Sequence, residues 1–394
     1  MNELCKYFLV LLVGYGFLGF GLAGASEVDS FTGRRPLQDS RDLLNAQVNG
    51  WLKKAVAATN HHSQHMAAAK YHRMRAVTGM PRLDGVDYCS KDHLYRIMRQ
   101  YFARPLVGQL ESYVNESPDL DTVKTKFEES IYRDFIFDEA PTIASTGKMA
   151  VLIRVNDIYM GSDKFGHFFT EGWSYFSSAI EAEEFDINAA LEFGELSESV
   201  FFGSITTGVY SHADLAANFN GMRFWIKVLG NEPDPLNPNA INPDAKPGQK
   251  AQSYIACKNK QWVIQQHFDW NEYVDIAWDE ANNCSQFRNK VLFEKVSARV
   301  QSASKGNKNT ACPLENNHYN ELYEKYGHYL VHLFNGAGHK VMPENLQAAN
   351  MLAKYLDLPV FEQLPKWQQR LIKRAMTEIE SWKQAYLASG WKAS

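Results

Sequence analysis

The chain has 394 residues with 41 basic and 45 acidic side chains, and 45% of its residues are hydrophobic. This length is sufficient for one large domain or two ordinary domains, each with its own core. The nearly balanced charge gives no polycationic signature, so no nucleic-acid partner is expected.

The first 25 residues are typical of a secretory signal peptide. Lys6 precedes an uncharged apolar run over residues 7–22, and residues 23–25 (Ala-Gly-Ala) form a small-residue cleavage site before Ser26. A retained membrane anchor is the alternative, because the run approaches the roughly 20 residues that span a bilayer. No cysteine stands at the cleavage site, and no later stretch is long and apolar enough to span a bilayer. We therefore expect a periplasmic or secreted protein that is soluble or makes peripheral membrane contact.

The cysteines beyond the signal region are Cys89, Cys257, Cys284 and Cys312. In an oxidising compartment they allow three different pairings, and the sequence does not choose among them. Because Cys257, Cys284 and Cys312 share one segment, we expect at least one disulfide within residues 257–312. Zinc binding is the weaker interpretation, since no C-x-x-C spacing is present.

Hydrophobic periodicity predicts a mainly α-helical fold, a multi-helix, bundle-like array with one or two short β-hairpins. The β-branched runs of residues 150–160 flank Asn156-Asp157 and predict the first hairpin. Gly230 is a suitable left-handed C-cap for the helix that precedes it. The helices expected in this part of the chain cover residues 40–77, 91–102, 107–116, 121–134, 162–182 and 211–229.

The segment after Gly230 separates two regions of the chain. Five prolines between residues 233 and 247 exclude a helix or an inner strand there. We therefore expect a loop or linker over residues 231–250, between a helical domain (26–230) and a second helical region (251–394). In that second region the pattern predicts a hairpin over residues 254–268 and helices over residues 271–283, 286–302, 319–334, 343–356 and 365–388.

Polar groups in the helix over residues 162–182 stand at helical spacing. Asp163, His167 and Glu171 share one sector of the helix, and large aromatic residues occupy the opposite side. The alternative is an ordinary solvated polar face, with Ser162 as the N-cap.

The helix over residues 211–229 carries Asn218 at the edge of its apolar face, one turn after Asp214. A buried amide without partners costs roughly 1–3 kcal/mol, so Asn218 should meet a polar group from another element. Gly221, one turn further on, removes a side chain and allows another helix to approach. Ser211-x-x-Asp214 also matches a capping box, a local role that is compatible with membership of a site.

Residues 163–168 (D-K-x-x-H-F), followed by residues 211–221 (S-x-x-D-L-x-A-N-x-x-G), resemble the paired signature of the YfiM-like bacterial envelope proteins. The D-K-x-x-H element is also similar to that of the VanZ-like membrane proteins. The resemblance covers residues 161–225 and implies an envelope location and a common polar site. This chain lacks the acylated cysteine of the first family and the membrane spans of the second. The matching positions are Asp163, Lys164, His167, Asp214 and Asn218.

Two functions fit these patterns. The first is binding of an envelope lipid, peptidoglycan or an envelope protein at a polar seam between helices 162–182 and 211–229. The alternative is a hydrolase of an envelope lipid or polymer, in which Asp163, His167 and Glu171 perform acid–base catalysis with an activated water. A metal ion bound by Asp163, His167 and a group from the second helix is a weaker alternative, because the spacing alone is a weak signal. We therefore assign no residues to a metal ion and expect no cofactor. The expected binding residues are Lys164, Ser211, His212, Asp214 and Asn218.

Other polar and aromatic groups are assigned structural roles. His328 and His332 have the spacing of a zinc-protease helix, but Tyr329 replaces the glutamate base, so a solvated face is expected. His61 and His65 are close enough in sequence to share a metal ion, but a pH-sensitive or simply amphipathic surface is the favoured interpretation. The aromatic set is expected in the core, with a carbohydrate platform beside Asp279-Glu280 as the alternative. This set consists of Trp262, Phe268, Trp270, Tyr273 and Trp278.

Overall fold

The computed structural model describes most of the chain between Ser26 and Met351, and it confirms a mainly α-helical fold with short strands in small sheets. Among the residues that the structure describes, no helix combines the length and apolar character needed to cross a membrane. The expected helix over residues 365–388 and most of the expected linker lie outside the described residues. The described ranges are 26–78, 87–103, 108–181, 185–200, 203–237, 253–303, 311–315, 318–347 and 350–351.

The helices follow the predicted order through much of the chain. Ser90 and Ser211 act as N-caps, since each side chain accepts a hydrogen bond from a backbone N–H three residues later. Gly230 ends its helix in the left-handed conformation, with φ of 60°. The α-helices are α1 (Arg41–Thr78), α2 (Lys91–Phe102), α3 (Gln109–Glu116), α4 (Pro141–Thr146), α5 (Asp163–Gly166), α6 (Gly172–Glu181), α7 (Ile187–Val200), α8 (His212–Leu229), α9 (Lys290–Ala303), α10 (Tyr319–Tyr326) and α11 (Leu330–Leu333).

The strands are short and form four small sheets within the described residues. Both predicted hairpins are present, and Asn156 and Asp157 adopt the positive φ values that a two-residue turn requires. The strands are β1 (Glu27–Val28), β2 (Met149–Ala150), β3 (Leu152–Val155), β4 (Ile158–Gly161), β5 (Val209–Tyr210), β6 (Ile255–Lys258), β7 (Gln261–Ile264), β8 (Gln286–Phe287) and β9 (Lys340–Val341). The pairs are β1 with β2, β3 with β4, β5 with β8, β8 with β9, and β6 with β7.

Several predicted helices are wrong in extent or in kind. Residues 121–134 contain only the 3-10 turn Phe127–Glu129, because Val123 pairs with β3 instead. Residues 271–283 form 3-10 turns capped by Asp269 and Asp275, whose side chains accept backbone hydrogen bonds and interrupt the helix. The helix expected from residue 286 begins four residues later, after β8. Helix α7 is not among the helices that the sequence pattern predicts.

Helix α8 crosses the segment formed by α5 and α6 at a pair of glycines. A Cβ built at Gly172 would lie 2.6 Å from the Cα of Gly221, and one built at Gly221 would collide with the carbonyl of Phe168. The close approach predicted for Gly221 is therefore present. It brings the backbones of the two helices into contact, so that side chains flanking the crossing meet.

The main core surrounds this crossing. Trp225, Trp270 and Trp278 are fully buried there, and the whole aromatic set expected in the core is buried. Two disulfides, Cys89–Cys257 and Cys284–Cys312, join segments that are distant in sequence. The second of them is the disulfide predicted within residues 257–312.

Candidate functional site

The centre of the site is the ammonium group of Lys164, whose side chain is 0% exposed. Its Nζ lies 2.5 Å from Asp214 Oδ1 and 2.6 Å from Glu280 Oε1, and it also contacts Asp163. Burial alone would lower the pKa of Lys164, but these carboxylates outweigh it and raise the pKa well above the ordinary value. Lys164 is therefore a buried cation surrounded by anions.

The carboxylates around Lys164 come from separate parts of the chain. Asp163 begins α5, Asp214 lies in the first turn of α8, and Glu280 follows the 3-10 turn Ile276–Trp278. All three are buried. The ammonium group consequently joins three segments of the chain. Loss of any one of these contacts would leave a buried charge without its partner, which costs stability.

Ser211 extends the network from the N-cap of α8. Its Oγ donates to Glu280 Oε1 at 3.0 Å, and its backbone N–H donates to Glu198 Oε1 at 3.0 Å. The expected capping box is only half formed: the N–H of Asp214 donates to Ser211 Oγ, but the Asp214 carboxylate turns to Lys164 and His167. Ser162 likewise does not cap α5, since its Oγ donates to Asn115 Oδ1 at 2.7 Å.

His167 lies at the rim of the network with its side chain 17% exposed. Its Nδ1 is 3.0 Å from Asn218 Oδ1, and its Nε2 is 3.2 Å from Asp214 Oδ2. The carboxylate in contact with the imidazole is thus Asp214, whereas Asp163, the expected orienting group, contacts Lys164. Both ring nitrogens are engaged inside the cluster, so in this arrangement neither points at a substrate.

The segment from His167 to Glu171 is a π-helical turn between α5 and α6. Such turns are rare and occur frequently at functional sites. Here the turn buries Phe168 and Phe169 and leaves Thr170 and Glu171 half-buried. Glu171 therefore lies beside His167 on the accessible side of the network.

The carboxyl groups of the site differ in their pKa values for physical reasons. Burial raises the pKa of Glu171 to about 7, with a smaller opposing effect from His167. Burial raises the pKa of Glu280 to about 7, and Lys164 partly offsets this. For Asp214 burial acts in the same direction, but His167 and Lys164 together prevail and lower its pKa. Carboxyl groups with pKa values driven apart in this way are characteristic of functional sites.

Three of these residues have the geometry of a cation site. Ligand atoms of Asp163, His167 and Asp214 lie within 4.8 Å of one another. However, Lys164 contacts both carboxylates and already supplies positive charge between them. A metal ion held by the same carboxylates would have to replace this ammonium or share them with it.

The expected binding residues do not form one open surface. Lys164, Ser211, Asp214 and Asn218 meet at the seam but are buried. His212 points elsewhere, since its Nε2 is 3.0 Å from Gln286 Nε2 at strand β8, and burial lowers its pKa to about 4. The accessible part of the site is formed by His167, Thr170 and Glu171 in the π-helical turn.

Several acidic members of the site are not predicted from the sequence. The pattern places Glu280 only in the alternative carbohydrate platform, and it does not single out Glu27, Glu111 and Glu198. All four are buried, and burial raises the pKa of each. The sequence offers one weak signal for Glu280. It lies two residues after Trp278, and a tryptophan expected in the core favours burial of the neighbouring residues.

The other histidine groups lie outside this site. His328 is exposed, as expected, and His332, whose side chain is 36% exposed, also pairs with Glu195 of α7 at 2.7 Å. His61 and His65 are exposed neighbours on α1, with their Nε2 atoms 3.0 Å apart.

No family model, curated protein or solved structure matches the chain. The resemblance to the YfiM-like and VanZ-like motifs stays a prediction from residues 161–225.

Proposed function

We propose that this protein is an exported hydrolase in which Glu171 is the general acid–base group and the buried network positions it. The observation that carries this proposal is the π-helical turn, which holds a half-buried glutamate with a pKa of about 7 beside His167. A general base is most effective when its pKa lies near the working pH. Asp163, which the sequence predicts to act directly, is buried and contacts Lys164, so in this proposal it helps to position the site.

The chemistry available to Glu171 is the activation of water. Glu171 removes a proton as the water oxygen bonds to the acyl, phosphoryl or glycosyl centre, and its protonated form returns that proton to the departing oxygen. The described cysteines all lie in disulfides, so none offers a thiol nucleophile. His167 holds the turn against α8 through Asn218 and Asp214.

The setting outside the cytoplasm has its own support. Two disulfides fit an oxidising compartment, and the first 25 residues have the pattern of a secretory signal. The substrate class that follows is an envelope lipid or polymer. A binding protein for such molecules is the competing function, and burial of Lys164, Ser211, Asp214 and Asn218 argues against ligand contact at the centre of the seam.

The test uses p-nitrophenyl butyrate, p-nitrophenyl phosphate, phospholipid vesicles and isolated peptidoglycan, with product analysis by mass spectrometry. Glu171→Gln should lower turnover by at least about 100-fold, the usual scale for a general acid–base group. Glu195→Gln is the matched control, because Glu195 is also half-buried beside a histidine, and it should retain activity. Assays with and without EDTA separate water activation by Glu171 from activation by a metal ion.

Turnover should also rise with pH through a midpoint near 7, because Glu171 must be ionised to act as the base. Loss of this midpoint in Glu171→Gln would support the assignment. The proposal fails if none of the probes is hydrolysed, or if Glu171→Gln is as active as Glu195→Gln. Saturable binding of vesicles or peptidoglycan without product would favour the binding protein instead.

A further inference from the structure

Ser26 follows the predicted cleavage site directly and is the first residue that the structure describes. Glu27 and Val28 form β1, which pairs in parallel with β2, and both side chains are buried. The first residues of a mature chain are ordinarily poorly ordered unless something ties them down. Here the fold holds them within the protein interior.

The residue that meets Ser26 is Glu111 of α3. Ser26 Oγ donates to Glu111 Oε1 at 3.3 Å, across 85 positions of sequence. Glu111 is only 6% exposed. Among the ion pairs formed by the described residues, none includes Glu111, although burial and the nearby Asp163 both penalise its negative charge. In this position the carboxyl group either keeps its proton or, once ionised, is stabilised by a nearby cation.

We propose that cleavage after Ala25 creates that cation: the new α-ammonium group of Ser26 pairs with Glu111 and locks the N-terminal strand into the mature protein. The backbone nitrogen of Ser26 is three bonds from the Oγ that already contacts Glu111. Before cleavage this nitrogen is a neutral amide joined to Ala25. After cleavage it carries a positive charge and three donors, and a charge-assisted hydrogen bond to a carboxylate becomes available.

The Ser26–Glu111 pair lies against the segment that leads into the π-helical turn. A Cβ built at Gly166 would lie 2.8 Å from Glu111 Oε2, and one built at Gly108 would lie 2.9 Å from the Cα of Gly166. Gly166 immediately precedes His167. Processing therefore adds a fixed charge next to the backbone that orients the candidate site, which gives the precursor and the mature protein different electrostatics at this point.

The charged groups around the pair set the direction of its titration. Burial, followed by Asp163, raises the pKa of Glu111 to about 8, and Lys164 has a smaller opposing effect. A paired ammonium opposes the first two influences and keeps Glu111 ionised at neutral pH. In return, the carboxylate raises the pKa of the Ser26 α-amine above the roughly 7.7–8.0 of an ordinary chain terminus.

The first measurement is the intact mass of the protein exported with its own leader. A mature chain that begins at Ser26 supports the proposal, and any other N-terminus overturns it. The inference rests on the export part of the proposed function and not on hydrolysis. An inactive protein that begins at Ser26 would therefore remove the proposed reaction while leaving this inference open to the next measurement.

The second measurement compares four purified proteins that begin at Ser26 or at Ala25, each with and without Glu111→Gln. A carrier fusion that is removed without a residual residue gives both start points. One added residue moves the ammonium by about 3.5 Å and restores the amide at Ser26. We expect the Ser26 form to melt about 5 °C higher than the Ala25 form, because the latter leaves Glu111 without its cation. In the Glu111→Gln background this difference should fall below about 1 °C.

The pKa of the α-amine gives a readout that simple packing would not change. NMR titration of the 13C-dimethylated terminus should give a value raised by about one unit in the Ser26 form, and an ordinary value in Glu111→Gln. The proposal is wrong if both start points melt together, if extension by Ala25 costs the same in both backgrounds, or if the α-amine pKa is ordinary with Glu111 present.

Discussion

Replacement of Lys164 by methionine removes the ammonium and keeps an unbranched apolar stem of similar length. Asp163, Asp214 and Glu280 then lie buried together without the cation that they share. Removing one partner from a buried ion pair typically costs about 3–5 kcal/mol, since the remaining charge has lost its solvation and its counterion. We expect Lys164→Met to lower the free energy of unfolding by this amount at pH 8.

The pH dependence of this loss follows from the carboxylates. Without the ammonium the pKa of each of these three carboxyl groups rises, so the folded variant holds protons that the unfolded chain releases. A carboxyl group whose folded pKa is raised gives its full stability below the unfolded value, near 4.5 for glutamate, and loses it as the pH rises. The gap between wild type and Lys164→Met should therefore be smaller at pH 5 than at pH 8.

Urea unfolding followed by tryptophan fluorescence and circular dichroism at both pH values measures this gap. Lys227→Met is the matched control: Lys227 pairs with Glu272 at a partly exposed position, where an ion pair contributes less than about 1 kcal/mol. If Lys164→Met does not fold at pH 8, adding Glu280→Gln should restore part of the stability, because one buried charge is removed. A loss no larger than that of Lys227→Met, or one equal at both pH values, would refute this account of the network.

Two further predictions concern the helix crossing and the titration of the wild type. Gly221→Ala should destabilise the protein by about 1–3 kcal/mol or more in thermal unfolding, because its Cβ meets the carbonyl of Phe168. The control Gly50→Ala places its Cβ in open space and should be neutral or stabilising by up to about 1 kcal/mol. Equal effects of the two substitutions would exclude a tight crossing. Wild-type stability should decrease from pH 5 to pH 8, since Glu171 and Glu280 hold pKa values of about 7, raised from 4.5. Urea titrations should show a smaller decrease in Glu171→Gln, and an unchanged slope would contradict the raised pKa of Glu171.

Local patterns identified the elements that depend on near neighbours in sequence. The hairpin around Asn156-Asp157 and the cap residues Ser211 and Gly230 follow from backbone preferences that act within a few positions. The same local logic failed over residues 271–283. There the side chains of Asp269 and Asp275 accept hydrogen bonds from neighbouring backbone N–H groups. The segment therefore forms 3-10 turns and not the continuous helix that its periodicity predicts.

The residues of the site also divide into those that local sequence patterns predict and those that only the tertiary structure reveals. The sequence alone marked Asp163, His167, Asp214 and Asn218, because polar groups recurred at helical spacing beside apolar faces, and it marked Gly221 as a point of close approach. Only the tertiary structure decided which charge meets which. Asp214 rather than Asp163 contacts the imidazole, and Glu280 and Glu111 join from distant segments. Long-range electrostatic partners depend on how the helices pack. Residues that packing brings together are distant in sequence, so no sequence periodicity shows which of them become neighbours.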